Sequence, residues 1–282
     1  MRTLKMRVAI TGGKGGTGKS MVATAIADYL AKDKKVLLLD LDADCPNDHL
    51  ILSVELKKEK DAVNMLADID YSKCVKCGKC SEVCKYNAIV HVKGKSPVLI
   101  PEQCSGCGAC IISCPVNCIR EGKKIIGTIY SGQKGNIGLI SSDLKPGEPL
   151  SEFVVKEAKE FARLKEKDYD VVLVDTAAGT HCHVISALTG CDLAFAVTEP
   201  TPLGAHDLRL ILDLLKILKV PAKIVLNKST VGDKKLIKKI AEEYGIEIFS
   251  EIPYDKAIIE AYSRGEPVKN ECIEKIAGFL EK

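Results

Sequence analysis

Short apolar runs and helix-period stretches alternate along most of this chain. Short segments rich in apolar residues cover 6–11, 36–39 (closing at Asp40), 124–130, 137–141, 171–175, 193–198, 223–226 and 247–252. Runs of this length, bounded by glycine, proline or charged residues, predict buried strands. Apolar positions recurring with the helical period predict helices over 152–166, 184–190, 204–218, 234–244, 255–263 and 270–281, and one behind the first strand with Ala23, Ile26, Ala27 and Leu30 on one face. Strands alternating with helices predict an α/β fold, a doubly wound and mainly parallel sheet covered on both faces. Residues 53–70 keep neither period and read as a charged lead-in to a cysteine-rich segment. The pattern therefore divides into a first part, 1–69, an inserted small α+β module, 70–122, and a second part of the same sheet domain, 123–282.

Composition narrows the class. A chain of 282 residues can bury one large core, or one core and a small module, and 46% apolar residues with no tryptophan suit an Ala/Val/Ile/Leu interior. The start, Met1 to Lys5, is basic, but the apolar stretch behind it is already the first strand, so no export leader is expected. No run is long enough for a membrane span. These features, with thirteen cysteines, fit a cytoplasmic, reducing setting.

The cysteines carry chemistry. Cys74, Cys77, Cys80 and Cys84 form one C-x2-C-x2-C-x3-C run, and Cys104, Cys107, Cys110 and Cys114, followed by Pro115, form a second. This is the spacing of bacterial ferredoxins, in which the fourth cysteine of each run ligates the other cluster. One 4Fe–4S cluster is thus expected on Cys74, Cys77, Cys80 and Cys114, the other on Cys104, Cys107, Cys110 and Cys84. Disulfides or zinc are the competing readings; zinc sites usually place two cysteine pairs further apart. The surrounding sequence repeats as well, ending in Asn87-Ala88-Ile89 and Asn117-Cys118-Ile119. The formal charge of +3 would fall to about −1 with two clusters of about −2 each. That is not the footprint of a nucleic-acid binder, and no nucleic acid is expected.

A second motif follows the first strand: Gly12-Gly13-Lys14-Gly15-Gly16-Thr17-Gly18-Lys19-Ser20 contains G-x-x-x-x-G-K-S, the phosphate-binding loop, in its strand–loop–helix setting. Backbone N–H groups of Gly13 to Gly18 would face the phosphates, Lys19 would reach the β- and γ-phosphates, and Ser20 would ligate Mg2+. A fortuitous glycine turn or a dinucleotide loop is the alternative. Asp40, Asp42 and Asp175 fall at or just beyond strand C-terminal ends, where doubly wound sheets bind ligands, although single aspartates there are also caps and turn residues. Asp44 and Asp48 read as turn or cap residues, and Asn47 as either a turn residue or part of the nucleotide-responsive segment.

The additional Lys14 gives the loop its character. The chain resembles the deviant P-loop ATPases of the MinD/ParA/nitrogenase-iron-protein/Mrp superfamily, most closely MinD-like ATPases carrying an inserted two-cluster ferredoxin domain. The resemblance runs through the loop, Asp40-Leu41-Asp42, the cysteine insertion, Asp175-Thr176-Ala177-Ala178-Gly179, Thr198-Glu199-Pro200-Thr201-Pro202, Asn227-Lys228 and Ile252-Pro253-Tyr254-Asp255. It implies an ATP-dependent homodimer in which Lys14 crosses to the partner's phosphates. It also implies that Asp42, in switch I, positions the attacking water and that Asp175 contacts Mg2+ through water. Gly179 would offer its N–H to the γ-phosphate, and Asn227 would recognise adenine.

The chain also departs from these relatives. Lys85 rather than proline follows Cys84, and Ala177-Ala178 stands where many relatives have two prolines. The late C-x-x-C pair of Mrp-type cluster carriers is missing, and the cysteine pattern of the nitrogenase iron protein is not reproduced. MinD proper ends in a membrane-binding helix; here Ile273, Ile276, Phe279 and Leu280 share one face among balanced charges, which reads as a core-packing helix. Of the remaining cysteines, Cys118, Cys191 and Cys272 read as small apolar residues. Cys45 is also left over. Cys182, between His181 and His183, reads as a buried thiol or as an interface metal ligand. His49, His91 and His206 have no metal-ligand spacing.

The function expected from these features is an ATP-binding, ATP-hydrolysing iron–sulfur protein using ATP/ADP and Mg2+, whose nucleotide state is coupled to electron transfer towards a redox partner. A cluster carrier serving an apo-protein acceptor, and a positioning ATPase with a redox sensor, are the alternatives. No membrane partner is expected.

Overall fold

The computed structural model describes residues 6–281; the basic start, Met1 to Lys5, lies outside the described residues. In chain order the elements are β1 (Arg7–Thr11), α1 (Lys19–Leu30), β2 (Val36–Leu41), α2 (Asp48–Ile51) and β3 (Lys57–Ile69), then α3 (Lys79–Glu82), β4 (Ile89–Val90), β5 (Val98–Leu99) and α4 (Ala109–Ser113). They continue with β6 (Ile119–Lys134), β7 (Ile137–Leu144), α5 (Ser151–Lys165), β8 (Val171–Thr176), α6 (Cys182–Leu188), β9 (Leu193–Thr198) and α7 (Pro202–Leu218). The last are β10 (Ala222–Leu226), α8 (Lys234–Tyr244), β11 (Ile248–Glu251), α9 (Lys256–Ser263) and α10 (Glu271–Leu280).

Nine strands form one sheet in the order β11-β10-β9-β1-β8-β2-β7-β6-β3. Every pairing from β11 to β7 is parallel, and β6 and β3 extend the edge antiparallel. The strands are apolar on both sides because both sides are covered. On one face Val8, Ile10, Leu38, Leu173 and Phe195 pack under Ile26 of α1 and Ile276 of α10. On the other, Leu37, Leu39, Val172 and Val174 meet Val155 of α5, Val184 of α6 and Ile211 of α7. The mainly parallel α/β sheet is as the sequence pattern indicates. In α10, Ile273, Ile276 and Leu280 are buried, while Phe279 is half-exposed with its ring 5.1 Å from that of Phe249.

Two sequence-based boundaries need correction. Residues 53–70 are not a lead-in: Lys57–Ile69 is a strand of 13 residues. The strand placed at 124–130 is the middle of β6, 16 residues long, which begins at Ile119 inside the cysteine-rich segment. The two strands pair from Lys57 opposite Ser131 to Ile69 opposite Ile119, with irregularities near Glu59 and at Ala62/Val63. Periodicity missed β3 because both faces of its first half meet water, leaving Lys57–Lys60 exposed and the alternation weak.

Phe195 is fully buried at the centre of the sheet, its ring 5.8 Å from that of Phe249. Phe195→Ala should destabilise the protein by about 3–5 kcal/mol. Anaerobic urea unfolding followed by far-UV circular dichroism measures this, and an unchanged midpoint would show that the described core is wrong.

Candidate functional site

β1 ends at Thr11, and the glycine-rich loop leads directly into Lys19, the first residue of α1. Two glycines are required by space. A Cβ on Gly13 would lie 2.2 Å from the Asp207 carbonyl oxygen, and one on Gly18, whose φ is +93°, would lie 2.4 Å from Asn227 Nδ2. The loop opens on a cavity of about 340 Å3 lined by Gly15, Gly16, Gly18, Lys19, Ser20, Asp42 and Asn227, with Tyr254 and Tyr262 on the far wall. Lys19 is buried, and its Nζ approaches the Lys14 carbonyl oxygen at 3.4 Å. An ammonium and successive backbone N–H groups at a helix N-terminus form an anion cradle. Thr17 is buried in the same loop, where its carbonyl accepts from Asn227 Nδ2 at 2.7 Å. Asn227 Oδ1 accepts from the Lys228 N–H at 2.8 Å, so the carboxamide keeps one N–H and one lone pair for a ligand.

Lys14 does not point into the loop. Its Nζ donates to Glu199 Oε1 at 2.6 Å, and Lys228 Nζ donates to Oε2 of the same carboxylate at 3.0 Å and to the Gly16 carbonyl at 3.0 Å. Burial alone would raise the Glu199 pKa; the two ammonium groups outweigh it and hold the carboxyl below the usual glutamate range. Sequence reasoning missed this role of Glu199. Its position after β9, at the ligand edge of the sheet, was the available signal.

The aspartates are placed by sheet register. Asp40 on β2 sits opposite Asp175 on neighbouring β8, so both project from the same face, the one covered by α1. Asp42, just past β2, lines the cavity. Asp48 was read as a turn or cap residue, and the structure assigns it neither role: it is wholly buried, and neither carboxylate oxygen has a hydrogen-bond partner among the described residues. Its backbone N–H instead donates to Asp40 Oδ2 at 3.1 Å, which folds the segment after β2 back over the strand end. No hydrogen bond of ordinary length reaches either oxygen of Asp175 among the described residues, although the Ser20 hydroxyl is near enough to pull its pKa down. Burial first, then neighbouring carboxylates, pushes Asp40 and Asp48 well above the ordinary range. Burial also raises Asp42 against the pull of Lys19, and raises Asp175 to about 7 despite the nearby Ser20 hydroxyl and Lys19 ammonium. Gly179, at φ +95°, donates its N–H to the Gly12 carbonyl at 3.2 Å, which ties the segment after β8 to the loop.

The eight motif cysteines gather in two places. Cys74, Cys77, Cys80 and Cys114 line one small cavity with Ile69, Pro115 and Ile119. Cys84, Cys104, Cys107 and Cys110 line a second with Met65, Ala67 and Ile89. Each set takes three residues from one run and the fourth from the other. Backbone N–H groups point at three of these sulfurs: Lys76 to Cys74 at 3.4 Å, Ala88 to Cys84 at 3.2 Å and Cys118 to Cys114 at 3.3 Å. Cys118 also brings its own sulfur to 3.4 Å from that of Cys114. Soft thiolate donors, apolar walls and N–H groups directed at sulfur fit an iron–sulfur centre. Among the remaining cysteines, Cys191 is buried and Cys272 half-buried, as small apolar residues would be. Cys45 and Cys182 are exposed, so Cys182 is not the buried thiol considered above. His183 Nδ1 lies 3.1 Å from Ser151 Oγ.

Residues 8–268 match the family model of the CobQ/CobB/MinD/ParA nucleotide binding domain. An uncharacterized protein of Methanocaldococcus jannaschii is 36% identical over 282 residues, covering 98% of this chain and 97% of its own length. Over 71 residues, 24% of this chain and 21% of the relative, identity is 32% to a component of the Na(+)-translocating ferredoxin:NAD(+) oxidoreductase complex of Acetobacterium woodii. Among solved structures, the septum site-determining protein MinD of Pyrococcus horikoshii OT3, complexed with Mg-ADP, superposes with a TM-score of 0.61 at 19% identity, covering 99% of this chain and 97% of that one.

The raised Asp175 has a consequence for stability. Between about pH 4 and pH 7 the unfolded chain releases the proton from this carboxyl while the folded chain keeps it, so stability falls as pH rises through that window. In the absence of nucleotide and divalent cations, Asp175→Asn should flatten this fall. Urea midpoints from pH 4.5 to 7.5 test it, and parallel profiles for the two proteins would refute it.

Proposed function

The chain belongs to the CobQ/CobB/MinD/ParA nucleotide-binding family and is a P-loop ATPase of the MinD/ParA type, and on that premise we propose that it couples its ATP state to electron transfer through two 4Fe–4S clusters. The observation that carries this reading is the exchange of fourth cysteines: Cys114 joins Cys74, Cys77 and Cys80, and Cys84 joins Cys104, Cys107 and Cys110. Zinc sites built from consecutive pairs have no need of such an exchange. The stretch similar to part of a ferredoxin:NAD(+) oxidoreductase complex supports the same chemistry. When bound, the clusters would supply one-electron transfer. Residues 70–122 then form the ferredoxin-like insert between the two parts of the ATPase domain, 1–69 and 123–282, in a cytoplasmic, reducing setting.

In this reading the N–H groups of Gly13, Gly15, Gly16, Thr17 and Gly18 hold the phosphates, and Lys19 neutralises the β- and γ-oxygens. Ser20 is the side-chain ligand of Mg2+, and Asp175 holds a water beside it. Asp42 orients the attacking water. Asn227 meets adenine with the free half of its carboxamide, beside Tyr254 and Tyr262. Gly179 exchanges the Gly12 carbonyl for the γ-phosphate. Lys14 leaves Glu199 and crosses to the phosphates of a second copy, so that ATP closes a homodimer and changes how the insert meets a redox partner. One observation favours the carrier alternative: Cys77 and Cys107 are exposed, which leaves a corner of each cysteine set open to an apo-protein acceptor.

Anaerobically purified protein should contain about eight iron and eight acid-labile sulfide per chain. Cys114→Ser should impair the set containing Cys74, Cys77 and Cys80 and spare the other. Stoichiometric zinc without sulfide would end the iron–sulfur reading.

Coupling has its own test. ATP or a slowly hydrolysed analogue should dimerise the protein and shift the cluster potentials by tens of millivolts, where about 59 mV is a tenfold change in a one-electron equilibrium. Lys14→Ala should remove both effects and keep the iron. Potentiometric EPR with and without nucleotide reads the shift. Equal potentials together with loss of cluster to an apo-acceptor would favour the carrier.

A further inference from the structure

The two cysteine runs repeat their spacing but not their charge. A lysine stands immediately before each of the first three cysteines of the first run: Lys73, Lys76 and Lys79 precede Cys74, Cys77 and Cys80. The equivalent places in the second run hold Gln103, Gly106 and Ala109. Residues 70–96 carry six lysines against two acids, Asp70 and Glu82, whereas residues 103–119 carry no Asp, Glu, Lys or Arg. Balancing the negative charge of a cluster does not account for this, because the second set would need the same balance and has no lysine at these places. Lys76 is also kept at a steric cost. Its φ is +59°, a left-handed backbone for which the second run uses glycine, Gly106 at φ +77°. All three lysines are exposed. Asp70 pairs with Lys73 at 3.3 Å, and among the described residues no carboxylate comes within ion-pair distance of Lys76 or Lys79.

Apolar surface and place in the fold add to the pattern. Val75 is 58% exposed and Val116 38% exposed, and both line the cavity of the Cys74, Cys77, Cys80 and Cys114 set, as does Lys79. That cavity takes in Ile69 and Ile119, the end pair of the β3–β6 ladder, whereas the second takes in Met65 and Ala67, further back along β3. β6 first meets β7 at Gly127, so the first set lies at the outer end of the insert and the second nearer the ATPase sheet.

Building on the iron–sulfur reading above, we propose that Lys73, Lys76 and Lys79, together with Val75 and Val116, form the docking face for an acidic electron-carrier protein. An apolar centre with a charged surround suits a short-lived encounter: charge steers the partner in, and a small contact area lets it leave. One electron passes between the partner and the Cys74, Cys77, Cys80 and Cys114 set, and no bond is made or broken. The uncharged set completed by Cys84 lies between this face and the ATPase sheet. An anionic membrane or a nucleic acid would also be drawn to lysines. Neither has an electron to exchange, and neither accounts for lysines that track the cysteines.

Two acceptors of opposite charge test the face: oxidised flavodoxin, which is acidic, and oxidised cytochrome c, which is basic. Anaerobic full-length protein is reduced with dithionite, freed of excess and mixed with each by stopped flow. The protein gives up one electron; the flavin takes it with a proton from solvent, and the haem iron takes it alone. At low ionic strength the triple variant Lys73→Gln, Lys76→Gln, Lys79→Gln should reduce flavodoxin about tenfold more slowly than wild type, and cytochrome c no more slowly. Added salt should slow the wild-type reaction with flavodoxin and leave that of the variant little changed. Iron, sulfide and EPR spectra should match in the two proteins. Binding has its own readout: carbodiimide should join flavodoxin carboxylates to Lys73, Lys76 or Lys79, as peptide mass mapping shows, and high salt should suppress the crosslink. Equal flavodoxin rates in wild type and variant would overturn the docking face, as would equal slowing with both acceptors or crosslinks that map elsewhere. So would binding to anionic vesicles or duplex DNA that the variant loses while its flavodoxin rate is unchanged. Protein without iron and sulfide would overturn the iron–sulfur reading and the docking face together, which metal analysis tells apart from failure of the face alone.

Discussion

The β3–β6 ladder is the constraint on which the rest depends. β6 begins among the cysteines at Ile119 and ends at Lys134, beside the start of β7. β7 in turn pairs with β2, the strand that carries Asp40. No hinge composition separates the two regions; a continuous antiparallel ladder does the joining, and its backbone bonds resist independent movement. Two further bonds tighten this path at the nucleotide end. The Leu144 N–H donates to the Ala43 carbonyl at 2.8 Å, and Ser142 Oγ donates to the Asp40 carbonyl at 3.1 Å. The segment bearing Asp42 is thus fastened to β7, and β7 to the strand leading into the cysteines. A shift of that segment on nucleotide binding has a contiguous physical route to the sulfur-lined cavities. Contiguity supplies the route, and coupling additionally requires two arrangements of it.

Electrostatics explain why such a shift is available. The nucleotide-free site holds its charges in provisional pairings. Glu199 binds both Lys14 and Lys228, so the lysine that distinguishes this loop is tied within its own chain. A triphosphate brings more negative charge than one carboxylate and presents it where Lys19 already waits. Phosphate at the loop therefore competes with Glu199 for ammonium groups at close range, where pair energies at an effective dielectric of 20 are about 4 kcal/mol at 4 Å. The carboxylates beyond Ser20 hold the opposite imbalance. A cation there and an anion at the loop each lower the cost of the other.

Much of this was legible in the sequence, for identifiable reasons. The strands of the parallel sheet are buried on both faces, so 193–198 and 171–175 announce themselves as apolar runs. The loop and the cysteine runs are local motifs in which spacing is the geometry, and the exchange of Cys84 and Cys114 follows from it. What stayed hidden depends on contacts between distant segments. Glu199 and Lys14 are 185 residues apart, and nothing in either neighbourhood announces the pair. Asp48 sits in a sequence rich in turn formers, Asp44 to Asp48, and only the backbone bond to Asp40 turns its carboxylate inward. β3 was missed because an edge strand with exposed lysines has lost the alternation that reveals strands.

The internal repeat of the cysteine segment is also imperfect in a way that matters. Ala88 and Cys118 occupy equivalent places, and both direct a backbone N–H at the fourth cysteine of their run, Cys84 or Cys114. The backbone geometry is therefore repeated while the side chain is not. Burial, followed by the contact with Cys114, pushes the Cys118 thiol up to about 12. On the iron–sulfur reading, the set completed by Cys114 has an S–H donor that the set completed by Cys84 lacks. Hydrogen bonds to ligand sulfur stabilise the more negative, reduced form of such a centre. The two centres would then differ in potential, with the Cys74, Cys77, Cys80 and Cys114 set the easier to reduce. A pair of unequal centres would give the electron a preferred resting place, and Ala88 against Cys118 is one of the differences between the two halves that would contribute to it.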